Sequence, residues 1–429
     1  MKKINIGTDF SGIEAPVQAL IRLGIPFRHV FSCDNDKYVR QSIRANYHPE
    51  TLYEDITTRD HSKIEPLDFY VAGFPCQAFS ISGKRRGFDD IRGTLFFNTA
   101  DFIRINRPKV FVLENVKGLL SHDKPKGSKE KYGRTFKTII NVLGKTWNGQ
   151  HQTSLPDDNL GYHIYWQVLN AKQHGLPQNR ERIFIVGFRD DEHTFSFPKP
   201  IPLIKRIKHI REQVVDEKYY LSDKMLAYFL NRAGNFNNGK INFKNDGDIA
   251  SCRKAASKSL DISDNILVVN QEGNLKGSEI ANCIDANYHK GMDNHAQRSM
   301  VIHPANNSDQ LIQLGNVDEK GHNSLWGRVY SPEGIGPTLN AGGVGVGAKT
   351  GLFLMDGTPV RIRKLTPLEC FRLQGFPDQV FHNCTKGGLS DTQLYKQAGN
   401  SMAVDCVAAL FNKIMPNFHP EGGQPLADN

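Results

Sequence analysis

Over the first 115 positions, short apolar runs alternate with stretches in which apolar residues recur at helical spacing. Residues 3–7 predict a strand with Ile4 and Ile6 on one face, and residues 15–23 a helix stopped by Gly24. Residues 29–33, 69–72 and 110–114 are apolar enough to be buried strands, and 162–170 and 182–188 continue the series. Strands interleaved with helices predict an α/β fold on a doubly wound, mostly parallel sheet. Ligands of such sheets gather at the carboxyl ends of the strands. That rule singles out Phe10 to Glu14, Asp34, Phe74 to Gln77 and Glu114 to Val116.

After residue 190 the pattern breaks. Residues 190–355 are rich in Asn, Gly, Asp and Ser, which predicts an inserted, smaller, irregular β-rich domain. Regular structure returns at Arg361. Thr366-Pro-Leu-Glu369 has the form of a capping box, Gly375 ends that helix, and Asn400 or Ser401 is placed to cap a last helix. The expected boundaries are 1–190, 191–360 and 361–429, the last segment returning to complete the first domain.

Composition narrows the class. With 39% hydrophobic and 23% charged residues, the chain reads as a globular protein. No signal peptide and no run of about 20 apolar residues stands out, so a cytoplasmic protein is expected. The net charge of +9 suits a polyanionic partner, and residues 201–260 hold 12 Lys and Arg against 6 acids. Seven cysteines without a Cys-x-x-Cys pair argue against a disulfide framework and against a zinc site. Cys252, Cys370 and Cys406 read as small buried hydrophobes.

Cys76 differs because of its setting, Gly73-Phe-Pro-Cys-Gln-Ala-Phe-Ser-Ile-Ser-Gly83, directly after a buried strand. A thiol there has the exposure that a nucleophile needs. Glu114 ends another strand, where burial raises a carboxyl pKa and suits it to hold a proton for general acid chemistry. In Gln178-Asn-Arg-Glu-Arg182 the two arginines alternate along an extended segment, so both can offer positive charge to one side.

Together with Arg92-Gly-Thr-Leu-Phe-Phe97 and Gln397-Ala-Gly-Asn-Ser-Met402, these segments closely resemble, in order, the DNA cytosine-5 methyltransferase family. The resemblance covers residues 1 to about 190 and 361 to about 411. It implies a Rossmann-like class I methyltransferase fold, S-adenosylmethionine as methyl donor, and no metal. It also implies attack of Cys76 on C6 of a cytosine flipped out of the duplex, with Glu114 at N3 and Arg182 at O2. Arg180, Asn115 and Gln77 would complete the catalytic group. The cofactor site would comprise Phe10, Gly12, Asp34, Asp55, Ile56, Gly73, Pro75, Leu95, Asn400 and Ser401. Residues 80–94 would form a lid that grips DNA through Ser82, Lys84, Arg85 and Arg86.

On this resemblance, residues 1–190 are the catalytic and cofactor-binding domain and 191–360 the target-recognition domain. Thr338 resembles part of the family's Thr-Leu pair in that domain. Double-stranded DNA is the implied partner and a cognate restriction endonuclease a further candidate, with the protein itself a monomer. The first motif departs from the family pattern Asp-x-Phe-x-Gly-x-Gly: Thr8 takes the acid's position and Glu14 that of the second Gly. A side chain at Glu14 is expected to crowd the turn. Two alternatives share these residues, an RNA cytosine-5 methyltransferase and a DNA-binding relative without activity. The long insertion favours DNA over RNA, and intact Cys76, Glu114 and Arg182 favour an enzyme.

Overall fold

The structure, a computed structural model, describes residues 3–75, 95–152, 156, 159–190, 195–220, 311, 313–316, 328–330, 335–339, 352–355 and 361–418. It divides into two compact units, Met1–Lys205 with Thr338–Ala341 and Pro367–Asn429, and Arg206–Pro337 with Gly342–Thr366.

The first unit is built on a nine-stranded sheet. Its strands are β1 (Ile4–Asp9), β2 (Phe27–Cys33), β3 (Thr51–Tyr53), β4 (Phe69–Ala72), β5 (Val110–Val116), β6 (Gly144–Trp147), β7 (Gln150–His151), β8 (Tyr162–Asn170) and β9 (Glu181–Phe188). Their order is β3-β2-β1-β4-β5-β9-β8-β6-β7. From β3 to β5 every neighbour is parallel, while β9 runs antiparallel to both β5 and β8. β2 and β4 flank β1 on opposite sides, so the connections diverge there and leave a crevice at its carboxyl end.

Helices α1 (Ala15–Arg22), α2 (Lys37–Asn46), α3 (Leu95–Asn106) and α4 (Arg134–Leu143) follow β1, β2, β4 and β5. The carboxyl-terminal segment adds α5 (Pro367–Leu373), α6 (Asp378–Lys386), α7 (Asp391–Asn400) and α8 (Val404–Ile414). Val404, Val407, Leu410 and Phe411 are buried on α8, and the Phe411 ring meets Phe69 with centroids 4.8 Å apart. α8 starts later than its sequence suggested. Asn400 ends α7, Ala403 stands at the N-cap of α8, and the Val404 N–H donates to the Gln374 carbonyl instead of to a side chain. Cys370 and Cys406 are buried; Cys252 lies outside the described residues.

The unit boundaries differ from 190 and 361 for a packing reason. Phe195 stacks on Tyr165 and Phe188, and the Ile201 N–H donates to Gln173, so the chain stays on the first unit to Lys205. In the second unit, β10 (Gln313–Asn316), β11 (Arg328–Tyr330), β12 (Leu352–Met355) and β13 (Arg361–Lys364) form a four-stranded sheet. β11 and β12 are parallel and the outer pairs antiparallel, so Arg361–Lys364 belongs to this sheet. The basic stretch 201–260 is described only to residue 220. Among the described residues no helix is long and apolar enough to cross a membrane.

Gly187 on β9 shows how tightly β9 packs. A Cβ there would lie 2.1 Å from the Phe111 ring of β5, and Phe111 is itself packed on Tyr162. Gly187→Ala is expected to cost about 1–3 kcal/mol by overpacking, read as a lowered midpoint of thermal unfolding. An unchanged midpoint would mean that β5 and β9 are loosely joined.

Candidate active site

The antiparallel β5–β9 pair sets the geometry. Glu114 lies near the end of β5, and Arg182 near the start of β9 faces Val116, two residues beyond. The Arg182 Nε is 3.2 Å from Glu114 Oε1. Burial pushes the Glu114 carboxyl above its ordinary pKa, although Arg182 and Arg180 pull the other way. Glu114 therefore keeps a proton to higher pH than a surface carboxyl does.

Arg180 is buried more deeply. Its Nη2 donates to the carbonyls of Gly399 and Ser401 at 3.1 and 2.7 Å, tying β9 to the end of α7. Its Nε and Nη1 have no hydrogen-bond partner among the described residues, and burial, with Arg182 nearby, lowers its pKa to about 9. Gln178, fully buried, donates its Nε2 to the Leu373 carbonyl. The sequence offered only its place in the Gln-Asn-Arg-Glu-Arg run.

Asn115 joins β5 to the segment after β4. Its Nδ2 donates to the Phe74 carbonyl at 2.9 Å, and its Oδ1 accepts from the Val116 N–H at 2.8 Å. This bond fixes the backbone two residues before Cys76. At Gly73 the strand ends converge: a Cβ would lie 3.1 Å from Met402 Cε, 3.7 Å from Glu114 Oε2 and 3.9 Å from the Phe10 carbonyl. Cys76, Gln77, Ser82, Lys84, Arg85 and Arg86, with the 80–94 segment, lie outside the described residues. Thr338 groups with the first unit, where its hydroxyl donates to the Asn179 carbonyl at 2.5 Å.

At the end of β1, three alternate residues, Phe10, Gly12 and Glu14, take positive φ of 52°, 54° and 60°. Asp34 stands beside this turn. Its Oδ2 accepts from the Gly12 N–H and its Oδ1 from the Asp36 N–H, both at 3.0 Å, while burial raises its pKa. A Cβ at Gly12 would meet none of the described residues within 4 Å. A fixed carboxylate at an open turn, with the half-buried Phe10 alongside, fits the ribose and ring of an adenosine. Asp55 shapes the next loop by accepting from the Thr57 N–H and hydroxyl, and Ile56 beside it is buried. Leu95 and Pro75 are half-buried, Ser401 is buried, and Asn400 is exposed.

The loop of Asp55 is anchored by a pair that the sequence did not reveal. Arg59 donates from Nη1 and Nη2 to the two oxygens of Asp9, each at 2.8 Å, and the Tyr70 hydroxyl donates to Asp9 as well. The guanidinium lies over the Phe31, Phe102 and Tyr53 rings at 4.5, 4.9 and 5.2 Å. Fifty residues separate the partners, so no local signal could have joined them.

Glu14 adopts the left-handed conformation that glycine favours, and its side chain is fully buried. Oε1 accepts from the Thr8 hydroxyl at 2.6 Å and the Ser32 hydroxyl at 2.5 Å, while Oε2 has no hydrogen-bond partner among the described residues. His29 completes the cluster, with its Nε2 2.9 Å from the Ser32 hydroxyl. The two departures from the family's first motif are thus in direct contact. An acid is absent at position 8, and the acid at position 14 bonds to the residue that stands there. A second carboxylate at position 8 would face Glu14 in the core, with only His29 among the described residues close enough to offset the added charge, at about 3–5 kcal/mol. Thr8→Asp is therefore expected to destabilise the wild type strongly and a Glu14→Gly background only slightly. Thermal unfolding of the four variants gives the coupling energy; additive effects would separate the two positions.

The sequence matches the family described as C-5 cytosine-specific DNA methylase over residues 5–416. The orphan methyltransferase M.SPRI of Bacillus phage SPR is 29% identical over 474 residues, covering 97% of this chain and 99% of that protein. The type II methyltransferase M.HpaII of Haemophilus parainfluenzae is 34% identical over 412 residues, covering 95% and 87%. Among solved structures, the Dnmt2 methyltransferase of S. pombe superposes with a TM-score of 0.57 at 14% identity, covering 97% of this chain and all of that one, a likeness of fold. A sheet in which β9 runs reversed beside β5, an acid and an arginine brought together by that pairing, and a match spanning nearly the whole length lead to one conclusion: the chain belongs to the C-5 cytosine-specific DNA methylase family.

Proposed function

We propose that this protein methylates carbon 5 of a flipped-out cytosine within a specific double-stranded DNA sequence, with Cys76 as nucleophile, Glu114 at N3 and Arg182 at O2. The observation that carries the reading is the buried Glu114 carboxyl beside Arg182, at the strand end next to Gly73. Carbon 5 of cytosine is too electron-poor to attack a methyl group unaided. Addition of the Cys76 thiolate to C6 forms an S–C bond and pushes electron density onto C5. A proton held between Glu114 and N3 eases that addition, and Arg182 offsets charge growing at O2. After C5 is alkylated, loss of its hydrogen as a proton expels the thiolate and restores the ring.

S-adenosylmethionine, the methyl donor of this family, supplies an electrophilic methyl group when bound. Asp34 would hold its ribose hydroxyls and Phe10 its ring, with Asp55 and Ile56 at the adenine and Gly73, Pro75, Leu95, Asn400 and Ser401 completing the site. Asn115 and Arg180 act as positioning residues, one holding the backbone before Cys76 and the other holding the turn after α7. In this reading Gln77 supports the nucleophile. Residues 80–94 close over the base through Ser82, Lys84, Arg85 and Arg86, and extrusion of the nucleotide costs a few kcal/mol.

The second unit reads the sequence, and Thr338, which groups with the first unit, contributes to that reading. The protein acts as a monomer in the cytoplasm on nucleoid DNA, and any cognate restriction endonuclease would share its recognition sequence. Transfer of labelled methyl to duplex DNA, with total RNA in parallel, tests the reading. Label in DNA that Cys76→Ser abolishes while duplex binding survives is expected; label in RNA alone would overturn it.

The raised pKa of Glu114 makes a further demand. The acid form is the one that donates to N3, so transfer should decline as pH rises through that raised value. Glu114→Gln should lower the rate by about 10²–10⁴-fold and remove that limb of the profile. An unchanged pH profile in Glu114→Gln would take the proton away from this carboxyl.

A further inference from the structure

The segment between β5 and α4 carries seven Lys and Arg against two acids over residues 117–137. Three of these bases are already matched: Lys117 pairs with Glu181, Arg134 with Asp123 and Lys137 with Glu130. The remaining four, Lys124, Lys126, Lys129 and Lys131, are exposed and form no ion pair among the described residues. They flank a turn in which the Ser128 N–H donates to the Pro125 carbonyl and Gly127 takes φ 76°. Both acids of this segment are thus already paired, although Glu130 also attracts Lys124, and the tip keeps an excess of positive charge.

The base is firmly built. The Gly133 N–H donates to the Leu120 carbonyl at 2.8 Å, and His122 Nδ1 meets the Thr135 hydroxyl at 2.8 Å. A Cβ at Gly133 would lie 1.9 Å from the His122 carbonyl oxygen, so the two limbs touch. Tyr132 packs edge-on against Trp166 of β8, with centroids 6.0 Å apart. Trp166 and Leu113 both pair with Ile185, on either side of β9. With strands about 4.8 Å apart, Trp166 lies about 10 Å across the sheet from Leu113, the residue before Glu114. The segment follows directly on the carboxyl end of β5, and its root packs level with the residue before Glu114.

We infer that residues 122–133 form a basic arm that grips the backbone phosphates of the duplex beside the target cytosine. The inference rests on the DNA reading above. A duplex delivering a base to Glu114 lies over the carboxyl ends of the strands, within reach of the arm. Four unpaired lysines on a rigid root match a line of phosphates and carry no means of reading bases. Their role is affinity and register, with counterions released from the DNA on contact.

The test uses the full-length protein and a 30-base-pair mixed-sequence duplex, with binding followed by anisotropy between 50 and 200 mM salt. Lys124→Ala/Lys126→Ala/Lys129→Ala/Lys131→Ala should lower the slope of log affinity against log salt by about 3–4, near 0.9 per lost phosphate contact. The corresponding four Lys→Arg changes should keep the wild-type slope. An unchanged thermal midpoint and unchanged binding of S-adenosylhomocysteine identify the alanine variant as folded. A folded alanine variant with the wild-type slope overturns the arm and leaves the DNA reading standing. A wild type whose binding is flat with salt overturns the DNA reading, and the arm with it.

Discussion

Everything at the site depends on one reversed strand. β9 enters the sheet antiparallel, between β5 and β8, which both run the other way. Its first residues therefore arrive at the carboxyl end of β5, and Arg182 meets Glu114 there. In a parallel arrangement the same arginine would sit at the far edge of the sheet, a full strand length away. Reversal also lets Arg180, just before the strand, reach the carbonyls of Gly399 and Ser401 from the returning carboxyl-terminal segment. Two distant parts of the chain are thereby locked around one carboxyl group whose burial raises its pKa.

The crevice at β1 is held by buried charge of a different kind. Asp9 and Arg59 pair with two bonds inside a cage of aromatic rings, and this pins the loop of Asp55 and Ile56 to the end of β1. On the other side, Glu14 bonds to Thr8 and Ser32 under the turn. Glu14 was expected to crowd the turn. Its side chain instead points into the core and bonds there, where a glycine would leave Thr8 and Ser32 without this acceptor. The left-handed backbone at Glu14 costs on the order of 1 kcal/mol, offset in part by two charge-assisted hydrogen bonds.

Much of this was legible before the structure. Strands with unbroken apolar runs, such as Phe69–Ala72 and residues 110–113, stood out because both faces are buried. Glu114 and Asp34 were singled out because strand ends in such sheets are where ligands gather, and Arg182 because it alternates with Arg180 along an extended run. What was not legible depends on contacts across long separations. Arg59 reaches Asp9 from fifty residues away, and Phe195 extends the first unit past residue 190 by stacking on Tyr165 and Phe188. The start of α8 was misjudged because the Gln374 carbonyl, a tertiary partner, takes the N–H that a local cap was expected to take. Lys124 to Lys131 escaped notice because local charge counts do not show that the neighbouring acids are already paired.

The proposed reaction turns on a thiolate at Cys76 reaching a cytosine held against Glu114 and Arg182. A duplex carrying 5-fluorocytosine at the methylated position blocks the final loss from C5 and traps whatever has added to C6. Peptide mapping of the trapped complex, formed with S-adenosylmethionine present, should place the base on Cys76, with no adduct in Cys76→Ala. An adduct on another cysteine, or transfer that proceeds with no adduct at all, would contradict the account.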